Sequence, residues 1–139
     1  MVDRLPKIKL LLVDDEEGYV EVLSKRLTKR NFEVMTAESG SAGIQALRRY
    51  DCDVAVVDLK MEGMDGIEVL KVFKKMDPNL AVIILTGHGS EQAARDGLAL
   101  GAFDYLTKPC DLNDLLEKIR EAYTATVDSR AAGPGRKET

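Results

Sequence analysis

Short apolar runs and longer amphipathic segments alternate along the chain, and this pattern predicts five strands and five helices. The predicted strands occupy residues 10–13, 32–37, 54–57, 80–85 and 103–106. The second run contains Glu33, as an edge strand does, whereas the third is uniformly apolar. A uniformly apolar run is typical of a strand that is buried on both faces of a parallel sheet.

The segments between these runs place apolar residues at the spacing of a helix face. The helix-face residues are Val20, Leu23 and Leu27 in the first segment; Ile44 and Leu47 in the second; Val69, Val72, Phe73 and Met76 in the third; and Leu112, Leu115, Leu116, Ile119 and Tyr123 in the fifth. The fourth segment contains Gly97 and ends near Gly101. We expect the second helix to begin at 39–41, the third to end at 77–78, and Ser90 and Asp111 to be N-caps of the fourth and fifth. Strands and helices that alternate in this way imply right-handed crossovers and a doubly wound parallel α/β sheet.

Length and composition favour one globular domain. The chain has 139 residues, 45% of them hydrophobic, and a formal net charge of −4, which argues against a nucleic-acid surface. Its two cysteines, Cys52 and Cys110, fit reduced thiols. We find no signal-peptide pattern or membrane-length apolar span, so we expect a cytoplasmic protein. Helical periodicity stops at Ala125, which predicts an N-terminal extension at 1–7, a domain at 8–124 and a flexible tail or linker at 125–139.

Charged residues follow three of the predicted strands. Asp14 and Asp15 follow the first, Asp58 follows the third, and Lys108 lies just beyond the fifth. In an open α/β sheet these positions meet at the carboxyl edge, where binding sites form. Each residue also has an ordinary explanation. Asp14 and Asp15 can be acids that favour the start of a helix, Asp58 can cap a loop, and Lys108 can be a solvated surface lysine. Clustered carboxylates repel one another without a cation, however, and this favours a metal site.

Five segments in this order carry a family resemblance. They are Leu-Leu-Val-Asp-Asp-Glu (11–16), Val-Val-Asp-Leu-Lys-Met (56–61), Gly-Met-Asp-Gly (63–66), Ile-Leu-Thr-Gly-His-Gly (84–89) and Tyr-Leu-Thr-Lys-Pro (105–109). Together they resemble the response-regulator receiver domain of two-component signal transduction, over roughly residues 8–124. The resemblance implies a flavodoxin-like fold, a five-stranded parallel sheet of order 2-1-3-4-5 with five helices, which is the order that general fold rules give for this family.

The resemblance also assigns roles to the charged residues. Asp58 is expected to accept a phosphoryl group from the phosphohistidine of a sensor histidine kinase or phosphotransfer protein. Asp15 and Asp58 are expected to bind Mg²⁺ (with Mn²⁺ as an alternative) directly, Asp14 through water, and Lys60 through its backbone carbonyl. Lys108 is expected to pair with Asp58 and then with the phosphoryl oxygens.

A conformational switch is implied as well. Thr86 is expected to bond a phosphoryl oxygen while Tyr105 turns inward, changing the surface of helix 4, strand 5 and helix 5. The Lys108–Pro109 bond is expected to be cis.

The expected partners are the kinase and a downstream protein or output domain. A phosphorylation-dependent homodimer is also compatible with the resemblance. Direct binding of nucleic acid or of a membrane is not expected. The domain is expected to catalyse only its own phosphotransfer and dephosphorylation, so we do not expect an enzyme in the usual sense.

Some positions vary from the family pattern. Glu62 stands where a proline often follows the methionine, and Lys60 and His88 lie where side chains tune access of water to the phosphoryl group. The 16 residues after Tyr123 are too few for an output domain, which fits either a stand-alone receiver or a piece of a longer regulator.

Three alternatives come from other classes. A degenerate receiver acting as a scaffold is expected to lack Asp58, Lys108 or the acid pair, and none is lacking. A haloacid-dehalogenase-like phosphatase needs a nucleophile on the first strand with an aspartate two residues on, where this chain has Glu16. A flavin-binding flavodoxin-type module needs a hydroxyl-rich phosphate loop, where this chain has the acidic run 14–17.

Overall fold

Five parallel strands form one sheet with helices on both faces in the computed structural model, which describes residues 7–132. The strands are β1 (Ile8–Val13), β2 (Phe32–Ala37), β3 (Val54–Asp58), β4 (Ala81–Thr86) and β5 (Asp104–Thr107). The helices are α1 (Glu17–Thr28), α2 (Gly40–Arg49), α3 (Gly66–Met76), α4 (Glu91–Ala99) and α5 (Leu112–Ala132). The sheet order is β2-β1-β3-β4-β5, so the predicted doubly wound fold and its strand order are confirmed.

The apolar inner strands bring the charged residues together. β3 and β4 are buried along their whole length, and β2 is an edge strand that exposes Glu33, as its sequence predicts. Val13 at the end of β1 pairs with Val57 of β3. The residues that follow Val13 therefore lie beside Asp58, the last residue of β3.

Two hydrophobic clusters, one on each face of the sheet, form the core. One lies under α2, α3 and α4 and contains Phe73 and Ile84, and the other lies under α1 and α5 and contains Leu27 and Ile119. Gly97 lets α4 approach the sheet closely, because a Cβ there would come within 2.6 Å of the Ile84 side chain. Among the described residues, no helix combines the length and apolar character needed to cross a membrane.

Two helix starts have side-chain caps, and a third lacks the cap that the sequence predicts. The Ser39 hydroxyl accepts a hydrogen bond of 3.0 Å from an amide in the first turn of α2, as expected of an N-cap. At α3, Asp65 and Glu68 form a reciprocal capping box. The prediction that Ser90 caps α4 is wrong, because its side chain makes no capping hydrogen bond to that helix. Its backbone ψ of 13° differs from the extended conformation that usually directs a capping hydroxyl at the helix amides.

The fifth helix is longer than its periodicity predicts. Residues 125–132 were expected to be a flexible tail, and they continue α5 to Ala132. The reason is tertiary: the buried Thr126 hydroxyl accepts a hydrogen bond of 3.0 Å from the first amide of β4, and Arg130 forms ion pairs of 3.1 Å with Asp53 and Asp77. These contacts hold the extension against the amino end of the sheet. The rest of the predicted tail lies outside the described residues.

Candidate functional site

Three carboxylates meet at the carboxyl edge of the sheet. Asp14 and Asp15 follow β1, Asp58 ends β3, and one oxygen from each lies within 4.8 Å of the others. Asp14 is completely buried and Asp58 is 6% exposed, whereas Asp15 is exposed. The sheet therefore brings together the acidic residues that the sequence predicts would meet, and it gives the two neighbouring aspartates different environments.

Lys108 reaches the same cluster from the end of β5. Its peptide bond to the following proline is cis, the isomer that the resemblance implies. The Lys108 ammonium nitrogen lies 2.8 Å from an oxygen of Asp14, 2.8 Å from an oxygen of Glu16 and 3.3 Å from Oδ1 of Asp58. It also lies 4.4 Å from the centre of the Tyr19 ring, a distance at which a cation is attracted to the π face. The lysine is thus an internal cation shared by three carboxylates.

The electrostatics of the cluster oppose ionisation of Asp58. Burial is the largest cause that raises its pKa from 3.8 to about 6, and the charges of Asp14 and Asp15 raise it further while Lys108 lowers it. Burial lowers the pKa of Lys108, but its hydrogen bonds to Asp14 and Glu16, together with the charges of Asp14 and Asp58, outweigh burial, so its pKa lies above the usual value. The cluster therefore carries more negative charge than its one lysine balances.

The donor chemistry of the cluster fits a hard divalent cation. All three clustered groups offer carboxylate oxygens, the ligands that Mg²⁺ and Mn²⁺ prefer, and the cluster contains no thiolate or imidazole. Asp14 already accepts hydrogen bonds at both oxygens, one from the Glu16 amide (2.9 Å) and one from Lys108 (2.8 Å). Asp15 accepts a bond of 3.1 Å from the Glu62 amide at one oxygen.

An open groove of about 490 Å³ borders the exposed side of this cluster. It is lined by Asp15, Leu59, Lys60, Met61, Glu62, Asp65, Ile67, Ser90 and Ala93. The expected ligand residue Lys60 therefore lies beside the acid cluster. Glu62, at the position where the family often has proline, adds a further negative charge to this groove.

The two expected switch residues lie on adjacent strands. Thr86 ends β4, is completely buried, and its hydroxyl makes a long contact of 3.4 Å with the carbonyl of Gly87. Tyr105 of β5 pairs in register with Ile84, so Tyr105 and Thr86 face the same side of the sheet, the side that α4 covers. Tyr105 is half-buried against that core cluster. Both residues therefore lie on the face that α4 covers, and Thr86 ends its strand at the sheet edge where the acid cluster lies.

Sequence reasoning missed three residues of the site. Glu16 and Tyr19 both contact Lys108, and the acidic run 14–17 was the only signal for the first. Gly66, at the end of the segment 63–66, lets α3 begin against β3, because a Cβ there would overlap the backbone carbonyl oxygen of Asp58. Glycine at 66 therefore sets how closely the N-terminus of α3 packs against the backbone of the acid cluster.

Comparison with known proteins identifies the family of this chain. The family model described as the response regulator receiver domain matches residues 10–120. The chain is 42% identical over 113 residues to the transcriptional regulatory protein GlrR of Escherichia coli, covering 81% of this chain and 26% of that protein. It is 37% identical over 110 residues to the photosynthetic apparatus regulatory protein RegA of Rhodobacter capsulatus, covering 79% of this chain and 60% of that protein.

Solved structures agree with this result. A receiver domain protein from Clostridium thermocellum superposes with a TM-score of 0.81 at 36% identity, covering 84% of this chain and 94% of that one. A CheY-like receiver domain from Methanospirillum hungatei superposes with a TM-score of 0.83 at 29% identity, covering 88% of this chain and 98% of that one. The chain thus spans about a quarter of GlrR but nearly all of each isolated domain. With a matching fold and a family match over most of its length, the chain belongs to the response regulator receiver domains of two-component systems.

Proposed function

We propose that this receiver domain is a phosphorylation-activated switch whose phosphoacceptor is Asp58. The observation that carries the proposal is the position of Asp58 between two further carboxylates and the ammonium of Lys108, 3.3 Å away. With a pKa of about 6, Asp58 is mostly ionised at neutral pH and is therefore nucleophilic. It ends β3 at the carboxyl edge of the sheet, beside the exposed Asp15 that lines the open groove.

The proposed reaction is an in-line phosphoryl transfer. A carboxylate oxygen of Asp58 forms a bond to phosphorus as the bond between phosphorus and the donor's histidine nitrogen breaks, and the electron pair of that bond stays on the imidazole. The product is an acyl phosphate on Asp58 and a free histidine on a sensor kinase or phosphotransfer protein. Lys108 is placed to bind a phosphoryl oxygen and balance its charge.

Mg²⁺ is the proposed cofactor, and Mn²⁺ has suitable chemistry as well. Asp15 and Asp58 would hold the ion directly, with Lys60 contributing its backbone carbonyl and Asp14 acting through water. The occupied oxygens of Asp14 support its indirect role, because both already accept hydrogen bonds. When bound, the ion supplies positive charge that neutralises the phosphoryl oxygens during transfer.

The proposed output travels through Thr86 and Tyr105 to α4. Phosphorylation adds about −1.5 to −2 charges at the acid cluster, and the buried Thr86 hydroxyl, whose hydrogen bond to the Gly87 carbonyl is long at 3.4 Å, is available for a phosphoryl oxygen. At Gly97, α4 presents no side chain to the sheet, and Leu98 and Leu100 near its end are 40% and 42% exposed. These features support a movable α4 and an apolar partner surface on α4, β5 and α5.

The proposed partners are a histidine kinase or phosphotransfer protein upstream and a regulatory target downstream. Matched relatives such as GlrR are named as transcriptional regulators and are much longer than this chain, which supports an output that lies in another domain or protein. The scaffold alternative is not favoured, because the carboxylates and the lysine all converge in the structure.

A mass measurement after incubation with acetyl phosphate and Mg²⁺ tests the proposal. The wild-type chain should gain one phosphoryl group that is labile in acid and base, and omission of Mg²⁺ should prevent the gain. Asp58→Asn should abolish it, whereas Asp51→Asn, the same change at an exposed aspartate near the other end of β3, should not. Undiminished labelling of Asp58→Asn would show that another group accepts the phosphate.

A further inference from the structure

We infer that Glu16 is a positioning residue that competes with Asp58 for Lys108 and thereby slows phosphorylation. The inference rests on the proposed function, since it concerns the rate at which Asp58 receives a phosphoryl group. Lys108 makes two hydrogen bonds of 2.8 Å, to Asp14 and to Glu16, and its distance to Asp58 is longer, at 3.3 Å. The ammonium therefore has its two shortest contacts with Asp14 and Glu16, and its contact with Asp58 is the longest of the three.

The backbone around Glu16 explains how its side chain reaches the lysine. Glu16 occupies the N-cap position of α1, yet its carboxylate makes no capping hydrogen bond to that helix. Its amide donates to Asp14 at 2.9 Å, which fixes the loop, and its carboxylate bonds Lys108, 92 residues away in the sequence. The preferred N-cap residues are Ser, Thr, Asp and Asn, and the longer glutamate side chain is not among them. Here its side chain is used for Lys108 instead.

Tyr19, one turn into α1, completes the holding site. Its ring lies 4.4 Å from the Lys108 nitrogen and contributes a cation–π attraction from the same side as Glu16. The Lys108 ammonium has three donor protons, and Asp14 and Glu16 take two of them, so loss of the Glu16 bond would free a second donor for a phosphoryl oxygen on Asp58. Glu16 also adds negative charge beside the path of an anionic donor. Both effects slow the transfer in the wild-type chain.

The size of the effect follows from the exposure of Glu16. Its side chain is 63% exposed, so water and salt weaken its pairing with Lys108. The loss of one exposed ion pair of this kind changes an equilibrium constant by about two- to fivefold. We therefore expect Glu16→Gln, which keeps the shape and removes the charge, to accept phosphate about two- to fivefold faster than wild type.

The test compares Glu16→Gln with Glu17→Gln. Glu17 carries the same charge one residue further on, in the exposed first turn of α1, so the pair separates contact with Lys108 from a general change in charge. Phosphorylation rates are measured with acetyl phosphate and Mg²⁺. Independently, lysine ¹H–¹⁵N ammonium spectra are recorded on the metal-free proteins, and the signal of the half-buried, hydrogen-bonded Lys108 is identified by its loss in Lys108→Arg.

The expected result is a faster rate and a shifted Lys108 signal in Glu16→Gln, with both unchanged in Glu17→Gln. An equal or slower rate in Glu16→Gln, an unmoved Lys108 signal, or the same acceleration in Glu17→Gln would overturn the inference. A wild-type chain that accepts no phosphate under these conditions would instead overturn the proposed function. In that case the ammonium spectra still decide whether Glu16 positions Lys108.

Discussion

Replacing Asp58 with asparagine is expected to stabilise the metal-free protein at neutral pH. Asp58 lies in a buried cluster with Asp14 and Asp15, and one lysine does not balance their charge. Asparagine has nearly the same shape as aspartate and carries no charge, so the substitution removes the repulsion and the desolvation cost of the carboxylate without opening a cavity.

The magnitude follows from the pKa of Asp58, which rises from 3.8 to about 6 in the folded state. This difference of roughly 2.2 pKa units is worth about 3 kcal/mol at about 1.36 kcal/mol per unit. The folded state binds its proton more tightly, so the unfolded state ionises first as pH rises. The free energy of unfolding therefore falls between about pH 4 and pH 6 and then levels off. Relative to the asparagine variant, the carboxylate lowers the free energy of unfolding by about 1 kcal/mol at about pH 4.5 and by about 3 kcal/mol at about pH 7.5.

Denaturant unfolding in the presence of EDTA measures this difference directly. At about pH 7.5 the Asp58→Asn variant should unfold at higher denaturant concentration than wild type, and the gap should shrink at about pH 4.5. Mg²⁺ at about 100 times its dissociation constant should stabilise the wild type by about 2.7 kcal/mol and so close most of the gap. Asp51→Asn, at an exposed position, is the control and should change little at either pH.

Two outcomes would refute this reasoning. One is a wild type that is at least as stable as Asp58→Asn at about pH 7.5 without metal, because Asp58 then experiences no net repulsion. The other is a gap that is equal at both pH values, because the gain would then come from packing or hydrogen bonding of the amide and not from the charge.

Three further predictions concern the metal, the switch and the long helix. Asp15→Ala should weaken Mg²⁺ binding more than Asp14→Ala in a metal titration, and equal or reversed effects would show that the direct and indirect roles are misassigned. Thr86→Ala should still accept phosphate, yet amide shifts along α4 and β5 should change less on beryllofluoride addition than in wild type; undiminished shifts would exclude this threonine as the transmitter. Thr126→Val should lower the free energy of unfolding by about 1–3 kcal/mol, because it leaves the first amide of β4 buried without its acceptor. The exposed Thr124→Val is its control, and similar losses for both would argue against that hydrogen bond.

The sequence alone was enough to predict the strands, the helices and the residues at the carboxyl edge of the sheet. A uniformly apolar run such as 54–57 is typical of a strand buried on both faces of a parallel sheet, and the amphipathic segments between such runs cover that sheet. Once the strands are parallel, Asp14, Asp15, Asp58 and Lys108 all follow strands at the same edge. Periodicity and chain order are local properties, so they could be recognised without the structure.

The tertiary structure decided what depends on contacts between distant residues. Periodicity ends near residue 125, yet α5 continues because Thr126 and Arg130 bond to groups at the amino end of the sheet. Nothing in the acidic run distinguishes the buried Asp14 from the exposed Asp15, or indicates that Glu16 binds Lys108. Burial and ion pairing depend on which surfaces the folded chain brings together. The sequence therefore determined which groups gather at the sheet edge, and only the packed fold determined which of them the lysine holds.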